Sequence, residues 1–302
     1  TVLRRHPQLT GAFVVRGVER PLLVLPADPS LPVRVVEAAG PAADDTVDRL
    51  AREDLRALDP EVAPLFRIAV VHIGPGRWRL VFSFHHALLD GWSTGNVLRE
   101  LLQSYHGIEL EPAPSYRSAL ERFAAEDHED ARRAWAEELR GVEPIRFGRS
   151  GPTGPAEPHM FSLDPTTSTT LTATAAAHGV TLNSLIQAVW ALALGYLTGS
   201  SEVVFGVTVS GRDIGTDTEG LVGMLMNTVP LRVRVDPAVS VVELAMRIQS
   251  RRSALLEHDH LGLGDILAAA GDVGELFDTA LIFENFPLDM AAFTDPTAEL
   301  SV

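Results

Sequence analysis

The chain has 302 residues, 46% of them hydrophobic and 22% charged, and these proportions are typical of a globular protein with a core. Its formal net charge of −15 lacks the basic excess expected of a nucleic-acid-binding protein. The absence of cysteine excludes disulfides, thiolate metal sites and a cysteine nucleophile.

The first 145 residues alternate between strand-like and helix-like patterns. Phe66–Ile73 and Trp78–Phe84 are apolar runs separated by Gly74-Pro75-Gly76, which predicts an antiparallel hairpin with a tight turn. A helix is expected at about Ser93–Tyr105. Its buried face should hold the apolar residues that recur at helical spacing, which are Val97, Leu98, Leu101, Leu102 and Tyr105. A second, highly charged helix is expected at about Glu129–Leu139.

Residues 146–160 are rich in Gly and Pro and predict a linker between two lobes, residues 1–145 and residues 161–302. The second lobe is expected to open with a helix near Thr167–His178. Another helix, near Leu182–Leu197, has Thr181 as its expected N-cap. Apolar residues run nearly all round this helix, which predicts that it is buried. Three strands complete a predicted sheet: Glu202–Ser210, Asn227–Val235 and Thr279–Glu284.

Leu185–Leu197 is the longest apolar stretch of the chain. Gln187 interrupts it, and it is too short to cross a bilayer. The sequence also opens without a signal peptide. We therefore expect a cytoplasmic protein that has no membrane partner.

The segment Val81–Ser93 places chemically active residues between the predicted hairpin and the helix that follows it. His85 and His86 stand at the end of the second strand, and Asp90 and Gly91 precede the helix. Loops at strand ends are where rigid scaffolds present catalytic groups. Because adjacent residues of an extended chain point to opposite sides, only one histidine is expected to face a given cleft, with the other packed behind it.

A histidine at this position suits general acid–base chemistry, because an imidazole changes its charge near working pH. Asp90 is placed either to orient the ring, as in a catalytic triad, or to hold the loop through an arginine. Gly91 permits a left-handed backbone, and its N–H lies where it can face developing negative charge. Ser93 is expected to cap the following helix. The residues by themselves leave both roles of Asp90 open.

The sequence FHHALLDGWS resembles the HHxxxDG motif of the condensation domains of nonribosomal peptide synthetases. Other stretches agree with that family in order and spacing, and the resemblance runs through most of the chain. They are RHPQL with Ala12-Phe13 at residues 5–13, VSGR at 209–212, VGMLMNTVP at 222–230, and LFDT with FENFP at 276–287. On these ordered motifs the chain is identified as a member of that family.

The resemblance implies a mixed α/β (α+β) fold of the chloramphenicol-acetyltransferase type, a V-shaped pseudo-dimer of two lobes with a tunnel through the cleft. Donor and acceptor carrier proteins would dock at opposite mouths, each presenting a thioester on a phosphopantetheine arm. The acceptor amine would attack the donor thioester to form an amide, in antibiotic or siderophore biosynthesis. The domain itself would bind no cofactor and no metal, and an adjacent adenylation domain is a further expected partner.

The same resemblance assigns roles to individual residues. His86 matches the catalytic histidine that faces the tunnel, supported by His85 and Gly91. Asp90 matches a structural aspartate paired with the arginine that Arg212 matches, and we prefer this pairing to a triad. The candidate tunnel residues are Trp92, Ser93, Asn227 and Glu284.

The chain departs from the family pattern in three ways. The family is usually longer at both ends, so the first strand and helix and the end of the second lobe are expected to be absent. Thr10-Gly11 stands where the family has Arg-Thr. The sequence from Tyr116 only loosely resembles the family's YxDF segment.

Two further sets of residues carry chemically suggestive side chains. His258 and His260 have the residue types of a metal site, but their segment is expected to end a helix that begins near Val241. Asp278 and Glu284 have an even spacing on one predicted strand and would share a face, as paired carboxylates do. The surrounding motif favours a structural or tunnel-wall role for them.

Three alternative functions stay open. An epimerization domain of the same superfamily would use the same histidine to move an α-proton, although Gly91-Trp92-Ser93 favours condensation. A non-catalytic docking module commonly lacks the second histidine, which is present here as His86. The third alternative is a stand-alone acyltransferase with a soluble thioester, and the DFGWG motif of plant acyltransferases is absent from the sequence.

Overall fold

In a computed structural model the chain divides into two compact units. The structure describes residues 1–38, 42–56, 58–146, 158–212, 218, 220–271 and 274–284. The first unit contains residues 1–122 and 212–225, and the second contains residues 123–211 and 226–284. These boundaries differ from those of the expected lobes, because Trp135 is buried in the core of the second unit and Val222 in a core of the first. Most of the expected linker, residues 147–157, lies outside the described residues.

The first unit begins with a one-turn helix. Its continuous stretch, residues 1–122, ends within a helix whose last residues belong to the second unit. In chain order its elements are α1 (Val2–Arg5), β1 (Ala12–Val14), β2 (Leu22–Val24), β3 (Val33–Glu37), α2 (Ala42–Arg56), β4 (Phe66–Gly74), β5 (Arg77–Phe84), α3 (Gly91–Tyr105) and α4 (Tyr116–Ala125). The mixed α and β content expected for this part of the chain is confirmed.

A three-stranded sheet in the order β3-β4-β5 organises the first unit. β4 and β5 form the predicted antiparallel hairpin, in a register that pairs Phe66 with Phe84. β3 runs parallel to β4. Helix α2 packs on this sheet and buries Leu50 beside Val71 and Val81.

Helix α3 buries a different face from the one that its apolar spacing predicts. Its buried residues are Ser93, Asn96, Val97 and Glu100, of which only Val97 is apolar. Tyr105, predicted to be in the core, is largely exposed. The prediction is confirmed for Val97 and wrong for Tyr105. The rest of the buried face is polar because these residues find hydrogen-bond partners in distant parts of the chain, and buried polar groups are stable only when so paired.

The second unit is mostly helical around a small sheet. In chain order its elements are α5 (His128–Glu138), α6 (Pro165–Ala177), α7 (Leu182–Thr198), β6 (Glu202–Val209), β7 (Asn227–Arg234), α8 (Val241–Leu255), α9 (Leu263–Ala269) and β8 (Ala280–Leu281). β6 lies between β7, to which it is antiparallel, and β8, to which it is parallel. The predicted third strand is thus shorter than Thr279–Glu284. Within the described residues, only Ala280 and Leu281 pair with β6 as part of that strand.

Helix α7 begins as predicted, with the backbone N–H of Ser184 donating to the Thr181 hydroxyl at 3.0 Å. The expectation that it is buried all round is wrong. Ala188, Ala191 and Leu194 lie in the core, whereas another face of the helix is open to solvent at Val189, Tyr196 and Leu197. In the described part of the chain, no single helix is long and apolar enough to cross a membrane; α6 and α7 together have the length and composition, but they meet at a bend of 105°.

Gly206, in the central strand β6, allows close packing that a larger residue would disturb. A Cβ atom there would lie 2.7 Å from Cε2 of Phe277 and 3.1 Å from Cγ2 of Thr228. We expect Gly206→Ala to lower the free energy of unfolding by about 1–3 kcal/mol, because it overpacks the core. The control is Gly264→Ala in α9, where an added Cβ has no neighbour within 4 Å. That variant should be as stable as the parent or more so, and equal urea midpoints for the two variants would contradict the prediction.

Candidate active site

The start of helix α3 is fixed by Asp90, the residue immediately before it. One carboxylate oxygen of Asp90, Oδ1, accepts a hydrogen bond from the backbone N–H of Ser93 at 2.8 Å. An aspartate is among the most favourable N-cap residues, and its charge is favoured at a helix N-terminus. The prediction that Ser93 caps this helix is therefore wrong, since the cap comes from Asp90.

Asp90 and Arg212 form the expected ion pair, 122 residues apart in sequence. The guanidinium Nη2 of Arg212 lies 2.9 Å from Oδ1 and 3.1 Å from Oδ2 of Asp90. The side chain of Asp90 is 0% exposed and that of Arg212 is 8% exposed. Both charges are withdrawn from water, so each depends on the other for compensation.

The carboxylate of Asp90 is fully occupied by hydrogen bonds. Oδ1 accepts from Ser93 and Arg212, and Oδ2 accepts from Arg212 and from the backbone N–H of Leu225 at 3.2 Å. A carboxylate offers about four acceptor positions, and these contacts use that number. Within the part of the chain that the structure describes, His86 makes no hydrogen bond to Asp90. Of the two roles left open for Asp90, the structure contains the one in which it holds the loop through an arginine.

Ser93 lies beneath the ion pair and links it to the segment around Gly223. Its hydroxyl accepts from Nη2 of Arg212 and from the backbone N–H of Gly223, both at 2.9 Å, and donates to the Gly223 carbonyl at 2.7 Å. One donor and two acceptors are the full capacity of a hydroxyl. Ser93, a candidate tunnel residue, is instead completely buried in this network.

The two histidines lie in a turn and not in the extended chain that their place after a strand predicts. The carbonyl of His85 accepts from Leu88 N–H at 2.9 Å, and that of His86 accepts from Leu89 N–H at 3.3 Å. The two rings nevertheless have different surroundings. His85 is partly buried and its Nδ1 accepts from Ala87 N–H at 3.1 Å, whereas His86 is exposed. Within the described residues, nothing hydrogen-bonds to the His86 ring, which leaves both of its nitrogens available to a ligand.

Gly91 and Trp92 form the first turn of α3. Gly91 is the first residue of the helix and does not use the left-handed backbone that a glycine permits. A helix start leaves its first N–H groups without partners inside the helix, so the expected donor role of Gly91 is compatible with its position. Trp92 is partly buried.

The remaining two candidate tunnel residues lie in the second unit. The side-chain amide of Asn227 donates to the carbonyls of Asp259 and Leu261, each at 2.8 Å, and its oxygen accepts from the N–H of Thr228. Asn227 therefore fixes the loop at residues 259–261. Glu284 is exposed and, like Asp278, lies outside strand β8, so the argument that these carboxylates share a strand face is wrong.

The two histidines considered for a metal site take part in local hydrogen bonds, His258 through its backbone and His260 through its ring. The carbonyl of His258 accepts from the indole N–H of Trp135 at 3.0 Å, and Nδ1 of His260 lies 2.9 Å from the carbonyl of Glu257. In the described ranges, no three His, Asp or Glu side chains are grouped so that they could hold a metal.

The third turn of α3 carries a second buried ionic group, which the sequence patterns did not predict. The carboxylate of Glu100 lies 2.9 Å from Nε of Arg5 and 2.8 Å from Nε2 of the buried His6. Burial acts to raise the pKa of Glu100, but the hydrogen bonds and charges of Arg5 and His6 outweigh it and hold the pKa below its ordinary value. The RHPQL motif marks Arg5 and His6 as residues of interest in the sequence. The motif alone does not identify Glu100 as the residue that they bind.

The family model described as "Condensation domain" matches residues 1–301 of the chain. Chondramide synthase cmdD of Chondromyces crocatus is 33% identical over 99% of this chain, and vanchrobactin synthetase VabF of Vibrio anguillarum is 32% identical over 95% of it. The chain spans only 8% and 10% of the length of these two proteins.

Solved structures give the same fold. The first condensation domain of the calcium-dependent antibiotic synthetase, in complex with a substrate analogue, has a TM-score of 0.72 and 23% identity, covering 93% of this chain and 69% of that one. The α+β fold class of the chloramphenicol-acetyltransferase type, expected from the sequence, is thereby confirmed.

We expect removal of the Arg212 charge to destabilise the first unit more than any exposed substitution. Arg212→Met should lower the free energy of unfolding by about 3–5 kcal/mol, because it strands the buried charge of Asp90. The double variant Asp90→Asn/Arg212→Met should lose less than the sum of the two single variants, since neither charge is then left alone. Urea unfolding followed by circular dichroism measures both, and strictly additive losses would contradict the pairing.

We expect Glu100 to make the protein sensitive to acid. Its pKa is lowered in the folded chain, so its contribution is complete at neutral pH and is lost as the pH falls below about 5 towards the folded value. Glu100→Gln should cost about 1–3 kcal/mol at pH 7 and flatten the decline of stability with acid. The control is Glu121→Gln at an exposed position on α4. Parallel pH–stability curves for the parent and Glu100→Gln would argue against this assignment.

Proposed function

The chain belongs to the condensation-domain family of nonribosomal peptide synthetases, and from this premise we propose that it forms an amide bond between two carrier-bound substrates. The donor is an acyl or peptidyl thioester and the acceptor is an aminoacyl thioester. The observation that carries the proposal is the His86 ring, which is exposed and unbonded among the described residues while the turn that bears it is fixed on both sides.

In the proposed reaction the acceptor amine attacks the thioester carbonyl carbon of the donor. A carbon–nitrogen bond forms, the carbon–sulfur bond breaks, and the proton lost by the amine ends on the departing thiol. His86 is the residue proposed to accept or guide that proton. A positioned general acid–base group typically accelerates a reaction by about a hundred- to ten-thousand-fold.

The other residues of the loop act by holding His86 in place. His85 is hydrogen-bonded within the turn through Ala87, and Asp90 is bonded to Arg212 at the point where the turn meets α3. Correct placement of reactants and catalytic groups can account for a large part of a barrier reduction. In this proposal Asp90 and Arg212 contribute rigidity, and the proton chemistry falls to His86.

The proposed partners are donor and acceptor carrier proteins whose phosphopantetheine arms bring the two thioesters. The chain contains no cysteine, so no thiol of its own can hold the acyl group and the reactive sulfur must belong to the partners. An adjacent adenylation domain is the proposed source of the loaded acceptor. The small share of the synthetases that this chain spans is consistent with such neighbours.

We expect His86→Ala to lower the rate of amide formation by about a hundredfold or more with the fold retained. The assay mixes the chain with an acyl-loaded donor carrier and an aminoacyl-loaded acceptor carrier and follows the condensed product by intact mass. The control is His159→Ala, at an exposed histidine in the segment before α6. A variant rate equal to that of the parent would exclude a catalytic role for His86.

A companion assay with a single loaded carrier in deuterated solvent, read beside the two-carrier assay, separates the epimerization and docking alternatives. An epimerization domain would exchange the α-proton of a single loaded carrier with deuterium from the solvent and form no amide. A docking module would do neither, although correctly folded. Amide formation that depends on both carriers and on His86 is the result expected of a condensation domain.

A further inference from the structure

The segment Leu221–Leu225, here called the return segment, belongs to the first unit although it follows the long second-unit stretch of the chain. Every one of its residues has a backbone group bonded to a side chain. The pairs are Asn96 and Arg212 with the Leu221 carbonyl, Gln8 with the Val222 carbonyl, Ser93 with both backbone groups of Gly223, Tyr116 with the Met224 carbonyl, and Asp90 with the Leu225 N–H. The segment is thus held by its backbone, with no helix or sheet of its own.

Tyr116 contacts this segment in two ways. Its hydroxyl donates to the carbonyl of Met224 at 3.0 Å. Its ring covers Gly223 so closely that a Cβ at that position would lie 2.3 Å from two ring carbons. Glycine is required at residue 223 by this ring, and the ring in turn limits how far the segment can move.

Tyr116 is also close enough to Asp90 for the negative charge of that carboxylate to act on its hydroxyl. Burial raises the pKa of Tyr116 above its ordinary value, and the negative charge of Asp90 raises it further. Leu225, the residue after Met224, donates its N–H to Oδ2 of Asp90. A displacement of Met224 would therefore move the adjacent Leu225 N–H and disturb its hydrogen bond to the Asp90 carboxylate.

We propose that Tyr116 is a positioning residue for the acyl transfer, acting through Met224 and Leu225 on Asp90 and so on the turn that carries His86. The inference rests on the proposed function, because its consequence is a rate. Tyr116 holds the return segment in place, the return segment completes the hydrogen bonds of Asp90, and Asp90 fixes the end of the catalytic turn.

The test compares Tyr116→Phe with Tyr196→Phe in the whole chain. Tyr196 is 88% exposed on α7 and serves as the matched control. With loaded donor and acceptor carriers, Tyr116→Phe should lower kcat by about 3- to 10-fold, the range of one lost hydrogen bond, with the KM for the acceptor carrier unchanged. Tyr116→Ala should lower kcat further, because the ring contact with Gly223 is also lost.

A second readout follows the return segment without reference to activity. Amide hydrogen exchange of a peptide covering residues 221–225 should be faster in Tyr116→Phe than in the parent and unchanged in Tyr196→Phe. Rates are compared per folded molecule, with the folded fraction taken from circular dichroism at the assay temperature. A purely structural tyrosine would change the folded fraction and leave kcat per folded molecule untouched.

The outcomes separate the two levels of inference. An active parent whose kcat per folded molecule is unchanged by Tyr116→Phe would overturn the positioning role and leave the proposed function standing. An inactive parent would overturn the proposed function, and the positioning role with it, even where exchange shows that Tyr116 restrains the segment. Loss of kcat together with faster exchange, in Tyr116→Phe alone, supports the proposal.

Discussion

The buried ion pair of Asp90 and Arg212 is the constraint on which the rest of the site depends. Two charges removed from water are stable only when their attraction is joined by hydrogen bonds to the remaining polar atoms. Ser93 and Leu225 supply such bonds to Asp90, and the carbonyls of Thr218 and Leu221 supply them to Arg212. A pair formed across 122 residues of sequence therefore fixes two loops and the start of a helix at once.

Helix α3 is held by ionic groups at two points along its length. Asp90 lies before its first turn, and Glu100 on its third turn is bonded to Arg5 and His6. The buried side of the helix is consequently polar, an arrangement that would be unfavourable without such partners. Packing of apolar side chains tolerates small shifts, whereas directional bonds at two points set the position of a helix along and around its axis. The turn that carries His86, immediately before α3, is restrained by the same bonds.

Local sequence patterns correctly predicted features that depend on neighbouring residues. They failed where the structure depends on residues that are distant in sequence. The hairpin around Gly74 and the cap at Thr181 depend on neighbouring residues, and both appear in the structure. The periodicity of α3 assigned the wrong face to the core, because it assumes that only apolar residues are buried. Ser93 and Asp90 are both good cap residues, and no local signal chooses between them. The Asp90–Arg212 pair was found only through family resemblance, since nothing in the spacing of two residues so far apart implies contact.

The saturation of Asp90 also limits what His86 can do in the proposed reaction. In a triad a carboxylate orients the imidazole and stabilises its charged form. Here, within the described residues, the carboxylate of Asp90 is fully engaged by Arg212, Ser93 and Leu225. In the proposed reaction His86 therefore acts without electrostatic assistance from Asp90. Placement of the reactants then matters most, because holding the amine against the thioester carbonyl can itself contribute about 7–11 kcal/mol. The hydrogen bonds beneath the turn therefore serve placement, which is the contribution that such a reaction needs most.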